Sequence, residues 1–405
     1  MREIDFRDPA FRHAPHEQYT KLRQYSPIIK VKGLNAYAVT THNACELLLK
    51  HPSVALAQTP PESLASDHPM QAYLQMRQGL MLFANPPRHE TLKAPARPSF
   101  KASLIKKYEP IIKDLSTHAI DEMANLLTKH ESVDFVSEVS IPFVSKVICK
   151  VVGMPDQDHL KLASLTQKVA DGLDPLGPKH SLQQAGHAYL DFQSYMTDEL
   201  KKGRWIHHAH EFSNSFLGEI AQCPHMLGGF KSSEDLISTT VMLLSAGHLT
   251  TNHSLSSSLA SLLSCPSLRS LITTEDSPIT AVAIEEFFRY HSPAQITRRI
   301  LIDDVTIAGH RLLKGQALWL ALVSANRDES VFANPQTLNL SRRPNPHLAF
   351  GAGEHFCLGT HLARIQLKVF LNTLQGRFPT LRIIENTPDN NLVFRGIKRL
   401  LLTIH

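Results

Sequence analysis

One stretch of this chain limits the folds open to it more than any other. From Leu236 to Ser264 there is no Lys, Arg, Asp or Glu. Ser232-Ser233-Glu234-Asp235 ahead of it is an N-terminal capping pattern, and Cys265-Pro266 behind it is a stop. Roughly 30 residues at 1.5 Å each give a helix of about 45 Å, the width of a whole globular protein. A helix without a charged face is a buried one. Ser, Thr, Asn and His interrupt it throughout, which argues against a membrane span. The spacing predicts a helix through the middle of the molecule.

At its centre lies Ala246-Gly247-His248-Leu249-Thr250-Thr251. Gly247 costs about 1 kcal/mol against Ala in a helix interior, so a packing reason is expected. Small residues at 246 and 247 let a flat group lie against the helix. The plainer expectation for Thr250 is a hydroxyl bonded back to the carbonyl one turn earlier.

The remaining pattern is mainly helical with small sheets. Glu17 to Tyr25 is amphipathic, and Ile28–Val31 and Ala36–Val39 flank Gly33-Leu34-Asn35 as a hairpin. Thr41 opens a capped helix, and Thr59 to His68 is a Pro- and Ser-rich loop. His89 and Lys93, four residues apart, share one face of a short helix ended by Pro95 and Pro98. Taken locally, that pair describes a solvated polar face. Helical spacing continues from Leu104 to Leu200, with a loop from Leu173 to Pro178. Ile279 to Tyr290 is another helix, carrying Glu286 and Arg289 as an i,i+3 pair. Strands are expected at Thr297–Ile302, Val305–Ile307, Ala317–Val323, Leu381–Ile384, Leu392–Phe394 and Leu400–Ile404, with a long irregular stretch from Asn326 to Phe350. No repeat and no linker divides residues 1–405, which read as one domain.

The second landmark is Phe350-Gly351-Ala352-Gly353-Glu354-His355-Phe356-Cys357-Leu358-Gly359, followed by a helical run from Thr360. A thiolate just before a helix N-terminus sits where unpaired N–H groups favour negative charge, which makes it a ready metal ligand or nucleophile. The glycines permit positive φ and close approach of a flat partner. By themselves these residues leave open a cysteine-nucleophile hydrolase using Cys357 and His355. Five widely spaced cysteines without a CxxC pair fit a reducing compartment. A net charge of +5 without basic blocks excludes an evident nucleic-acid surface, and no apolar leader begins the chain. The expectation is a soluble, cytoplasmic monomer with no membrane contact.

The cysteine segment resembles the haem-binding signature of the cytochromes P450: a phenylalanine, glycines, a basic residue and the cysteine in register. The order of landmarks extends the resemblance over nearly the whole chain. Ala-Gly-x-x-Thr in the long helix is followed by Glu286-x-x-Arg289, by Ala325-Asn326-Arg327-Asp328, by Arg342-x-x-Asn345-Pro346-His347, and then by the cysteine. The length and short N-terminus are similar to the soluble bacterial class.

The resemblance implies a cytochrome P450 fold with haem b between the long central helix and the cysteine loop and helix. Cys357 is then the axial thiolate of the iron, a ligand type that favours O–O cleavage. His355, Arg299 and His89 match propionate partners, and Lys93 stands where the family usually has Arg. Phe350 packs beside the sulfur, while Ala246 and Gly351 border the macrocycle. Glu286, Arg289 and Arg342 match a buried structural ion triad. Gly247, Leu249 and Thr250 occupy the oxygen-activating segment, Thr250 as the hydroxyl that orders water and passes protons. Leu249 replaces the usual Asp or Glu, so the ordinary relay is broken there. His248 lies about 100° round the helix from Leu249.

Implied substrate contacts are Phe83, Leu243, Leu244, Ala294, Ile296 and Ile397, all apolar. The implied activity is insertion of one oxygen atom of O2 into an apolar small molecule, in polyketide or fatty-acyl tailoring, free or on a carrier protein. Electrons come from NAD(P)H through a separate ferredoxin or flavodoxin and a reductase, since no flavin or nicotinamide fingerprint is fused to the chain. The missing acid allows desaturation, rearrangement or peroxide-driven oxidation as alternatives, and a non-catalytic haem sensor or carrier as another.

Overall fold

The computed structural model describes residues 3–56, 70–203, 212, 214–223, 229–275 and 277–404. The expected loop at Thr59–His68 lies outside them. The chain sorts into two compact units built from separated segments. The first comprises Met1–Gln58, Thr280–Cys357 and Asp389–Gly396; the second comprises Thr59–Ile279, Leu358–Pro388 and Ile397–His405.

The first unit carries the larger sheet. Its strands are β1 (Glu3–Ile4), β2 (Ile28–Val31), β3 (Ala36–Val39), β4 (Val54–Ala55), β5 (Ile296–Leu301), β6 (Val305–Ile307), β7 (His310–Leu312) and β8 (Ala317–Ala321). Six pair in the order β1-β2-β3-β8-β5-β4, and β6 and β7 form a separate hairpin. The β2–β3 hairpin is antiparallel and turns through Gly33 at φ 71°, a conformation that costs glycine little. Strand β3 runs parallel to β8, and β5 pairs antiparallel to β8 with Arg299 opposite Leu318. Apolar residues of these strands and of the helix His42–Lys50 make one core, with Val39, Cys45, Leu48, Leu301, Leu318 and Leu320 inside it.

Three details differ from the sequence expectation, one being that β8 ends at Ala321, where Leu322–Ala325 turns helical, and not at Val323. The helix His42–Lys50 has Thr41 at its N-cap, yet the Thr41 side chain makes no capping bond. Asp328 takes that role instead, its Oδ2 accepting from the His42 N–H at 2.8 Å. Leu392–Phe394 is not a strand; only Phe394 forms an isolated bridge, to Ala294. The turn Asp389–Gly396 is closed by Asp389 N–H donating to the Gly396 carbonyl, which leaves too few residues for a ladder.

The second unit is organised on the helix Ser233–Ser264, 32 residues long. Ser232 caps it, its Oγ accepting from the Asp235 N–H at 3.2 Å. Acidic Glu234 and Asp235 occupy the first turn, where the macrodipole favours them. Arg88 clasps both Asp235 carboxylate oxygens and so ties the helix Arg88–Lys93 to this end. The long helix packs against Ile141–Val152, His159–Asp171 and Thr360–Leu374. A small sheet, Arg382–Pro388 with Ile397–Thr403 and Val133–Asp134, completes the unit. Among the described residues no helix is long and apolar enough to cross a membrane.

Candidate active site

In the first unit the chain from Phe350 to Cys357 is bent into a loop closed on itself. Cys357 N–H donates to the Phe350 carbonyl at 3.0 Å, and Phe356 N–H to that of Gly353 at 3.1 Å. Gly353 has φ 70° and lies so close to the helix His42–Lys50 that a Cβ there would stand 2.4 Å from the Leu49 carbonyl oxygen. No side chain fits, and this packing fixes the loop's height. Gly351, at φ 71°, meets no such obstacle; its glycine is conformational. The Phe350 ring rests 4.7 Å from Phe288 and 5.8 Å from His347, centroid to centroid. Cys357 emerges half-buried three residues before the helix Thr360–Leu374. His355 is also half-buried.

Arg299, on β5 of the same unit, is 6% exposed. Its Nη1 donates to Thr297 Oγ1 and to the Arg298 carbonyl, both at 2.8 Å. It makes no ion pair among the described residues. Burial pulls its pKa down to about 10, and the Glu354 charge opposes the shift. A buried guanidinium so placed fits an anionic group supplied by a ligand.

The triad behind this loop is fully assembled. Glu286 accepts from Arg289 Nε at 2.7 Å and from Arg342 Nε at 3.0 Å. The Asn339 N–H and Asn345 Nδ2 also reach this carboxylate, at 2.9 and 3.2 Å. Burial raises the Glu286 pKa, but these donors outweigh it and the net shift is downward.

In the second unit, His89 and Lys93 are 2% and 9% exposed. The solvated face that their spacing describes locally is therefore wrong: the short helix turns both inward. A buried ammonium also fits an anionic ligand.

The long helix is buried along most of its length, with one window. Ala246 is exposed, and Met242, Gly247 and Thr250 are half-buried. Met242, Ala246 and Thr250 are spaced i, i+4, i+8, so they line one stripe. An opening over the small Ala246 in an otherwise covered helix suits a flat group. Thr250 Oγ1 donates to the Ala246 carbonyl at 2.9 Å, the back-bond expected of it, and keeps its lone pairs available. Gly247 has a different cause: a Cβ there would meet Ile148 Cδ1 at 2.6 Å, so the glycine serves helix packing. Leu249 is 4% exposed. His248, 2% exposed, bonds Thr166 Oγ1 through Nδ1 at 3.1 Å.

Among the apolar candidates, Phe83 is half-buried under Arg77, whose guanidinium lies 4.7 Å from the ring centre, and Ala294 is half-buried beside Phe394. Leu243, Leu244, Ile296 and Ile397 are 7%, 1%, 4% and 6% exposed and belong to the core. Sequence reading passed over Met242, which the i,i+4 spacing from Ala246 signals. It also passed over Phe394, for which the strand assignment hid the bridge.

Known proteins resemble this chain throughout. The family model for "Cytochrome P450" matches residues 228–395. The chain is 29% identical to the biotin biosynthesis cytochrome P450 of Bacillus subtilis, over 92% of this chain and 91% of that protein. It is 30% identical to the vitamin D3 dihydroxylase of Streptomyces griseolus, over 96% and 92% of the two chains. The crystal structure of P450BioI bound to an acyl carrier protein ligated with hexadec-9Z-enoic acid superposes with a TM-score of 0.85 at 28% identity, covering 97% of this chain and 99% of that one. With these matches the chain belongs to the cytochrome P450 family and is a haem-dependent P450 monooxygenase.

Proposed function

We propose that the enzyme hydroxylates an extended, apolar acyl chain, free or carried on an acyl carrier protein, using haem b held by Cys357. When bound, the thiolate-ligated haem supplies activation of O2. The chain's own residues do the rest. His355, Arg299, His89 and Lys93 would hold the propionates, and Phe350 would shield the sulfur from water. Ala246 and Gly351 leave room for the macrocycle. Thr250 accepts and passes hydrogen bonds at its Oγ1, while Phe83, Met242, Ala294 and Phe394 offer apolar surface to the substrate. Electrons come from NAD(P)H through a separate ferredoxin or flavodoxin with its reductase, in the cytoplasm.

The observation that carries this reading is the window at Ala246 in a helix that is otherwise covered. The acyl substrate class is supported by the relatives. One is a biotin biosynthesis P450, two are methyl-branched lipid omega-hydroxylases from mycobacteria, and one solved neighbour holds an acylated carrier protein.

Leu249 favours a second outcome, desaturation or rearrangement, because an apolar residue there slows proton supply. Reduced protein under carbon monoxide should show the Soret band of thiolate ligation, and Cys357→His should lose it. Palmitate and palmitoyl carrier protein are then offered with a ferredoxin system. Hydroxylated acid by mass spectrometry supports hydroxylation, an alkene supports the second outcome, and turnover of neither overturns the acyl assignment.

A further inference from the structure

The second unit holds a cation outside the set that faces the haem. The segment from Met70 to Pro86 carries one charged side chain, Arg77, and the long helix from Leu236 to Ser264 carries none. Arg77 stands half-buried on the helix Gln71–Gly79. Its guanidinium lies 4.7 Å from the centre of the Phe83 ring, which belongs to the short turn Met81–Phe83 that follows. The ring steadies the charge by cation–π attraction, and Met81 and Leu82 beside it are half-buried apolar side chains. A guanidinium carries its N–H donors in one plane, a fork that matches a carboxylate.

Placement relates this pair to the window. The helix Gln71–Gly79 and the turn Met81–Phe83 both pack on the long helix. The seat is at Ser238, whose Oγ would stand 3.0 Å from a Cβ on Gly79. Ser238 lies one turn before Met242 and eight residues, about 12 Å, before Ala246. The cation and its ring therefore sit toward the end of the stripe Met242, Ala246 and Thr250 that is away from Thr250. An acyl chain is apolar except at its head. Apolar walls alone fix no particular carbon at the point of oxidation, whereas one polar anchor at a set height does.

We infer that Arg77 anchors a free carboxylate. The guanidinium takes the acid head as a bidentate pair, the first methylenes lie on Phe83, and the chain runs along the stripe toward Thr250. This rests on the acyl reading above and narrows it to the free acid, because a carrier thioester has no charged head to offer.

The test uses the full-length, haem-loaded enzyme and follows the spin-state shift of the Soret band as ligand is added. Palmitate, hexadecanol and palmitoyl carrier protein are the probes. The natural chain should bind palmitate about tenfold or more tightly than hexadecanol, which has the same tail without the charge. Arg77→Gln should weaken palmitate about tenfold or more beyond any loss for the other two probes, and Arg77→Lys should keep part of the preference. Hydroxylation of palmitate by Arg77→Gln should spread over more carbons. If the natural chain prefers hexadecanol, or Arg77→Gln weakens all three probes alike, Arg77 is no anchor and the acyl reading stands. If none of the three shifts the band, the acyl reading falls and the anchor with it.

Discussion

His248 Nδ1 and Thr166 Oγ1 share a hydrogen bond. The two atoms are 3.1 Å apart, and the Thr166 hydroxyl gives its single hydrogen to the Ala163 carbonyl at 2.8 Å. A carbonyl can only accept, so with the hydroxyl hydrogen on Ala163 the neutral imidazole carries its own proton on Nδ1 and donates it to Thr166. Burial pushes its pKa down to about 4, and nearby His253 adds a smaller push in the same direction. His248 is therefore a neutral tie between two helices. It is not a substitute for the acid missing at Leu249.

That depressed pKa has a signature in stability. The unfolded chain takes up a proton near pH 6.5, while the folded chain resists until about pH 4. Stability is thus complete above about 6.5 and is lost as pH falls through this window, by roughly 3 kcal/mol for the one group. Denaturant unfolding at a series of pH values should show that slope, and His248→Gln should lessen it, leaving the share of the other buried imidazoles His16 and His291. An unchanged slope in the variant would assign the acid sensitivity wholly to those other groups.

Leu249 sets the second expectation. With His248 turned to Thr166, no titratable side chain of that helical turn serves Thr250. Proton supply then depends on water organised by the substrate. Leu249→Glu introduces a carboxyl at a position 4% exposed, where burial raises its pKa toward neutrality. The fraction of consumed electrons that ends in product should rise, with the catalysed rate increasing by up to about 10²-fold, the lower end for a placed proton donor. A smaller solvent isotope effect should accompany it. Coupling and rate equal to those of the natural chain would sink the idea.

How much of this was legible in the sequence depends on whether a feature was local. The long helix was, because an uncharged run with its own cap and stop specifies its burial and both ends without reference to anything else. The cysteine loop was equally local. The ion triad was visible only through the family pattern, since Glu286 and Arg342 meet across 56 positions. Features that depend on a distant partner were misread. The cap of the helix His42–Lys50 comes from Asp328, far along the chain, so Thr41 took the credit. The inward turn of His89 and Lys93 follows from how their short helix is clasped by Asp235 through Arg88. Phe394 looked like a strand because an apolar triplet has the same composition whether it pairs along a ladder or at one bridge.

Gly247 yields a third expectation, separating packing from chemistry. Alanine gains about 1 kcal/mol in helix propensity but must displace Ile148, whose Cδ1 and Cγ1 would lie 2.6 and 2.8 Å from the new Cβ. Overpacking of this kind costs roughly 1–3 kcal/mol. Gly247→Ala should be net destabilising by about 1 kcal/mol, read by denaturant unfolding. With Ile148→Ala in the same chain, the double variant should be more stable than the sum of the singles by about 1 kcal/mol or more. Strict additivity would remove Ile148 as the cause.

The triad supplies the last expectation. Glu286 and Arg289 are both 0% exposed, and Arg342 is 7% exposed. One carboxylate serves two guanidiniums, whose other nitrogens bond the carbonyls of Asn326, Pro335 and Ala333. Those carbonyls belong to the irregular stretch that leads to the cysteine loop, so the arginines hold a segment with no ladder of its own. Glu286→Gln keeps the shape but removes the charge, leaving two buried cations against an amide. Breaking a buried pair from one side typically costs about 3–5 kcal/mol. Denaturant unfolding should register a loss of that size, with haem content falling in parallel because the loop that presents Cys357 loses its footing. Should Glu286→Gln retain full haem and lose less than about 1 kcal/mol, the carbonyls rather than the carboxylate would be what balances the two arginines.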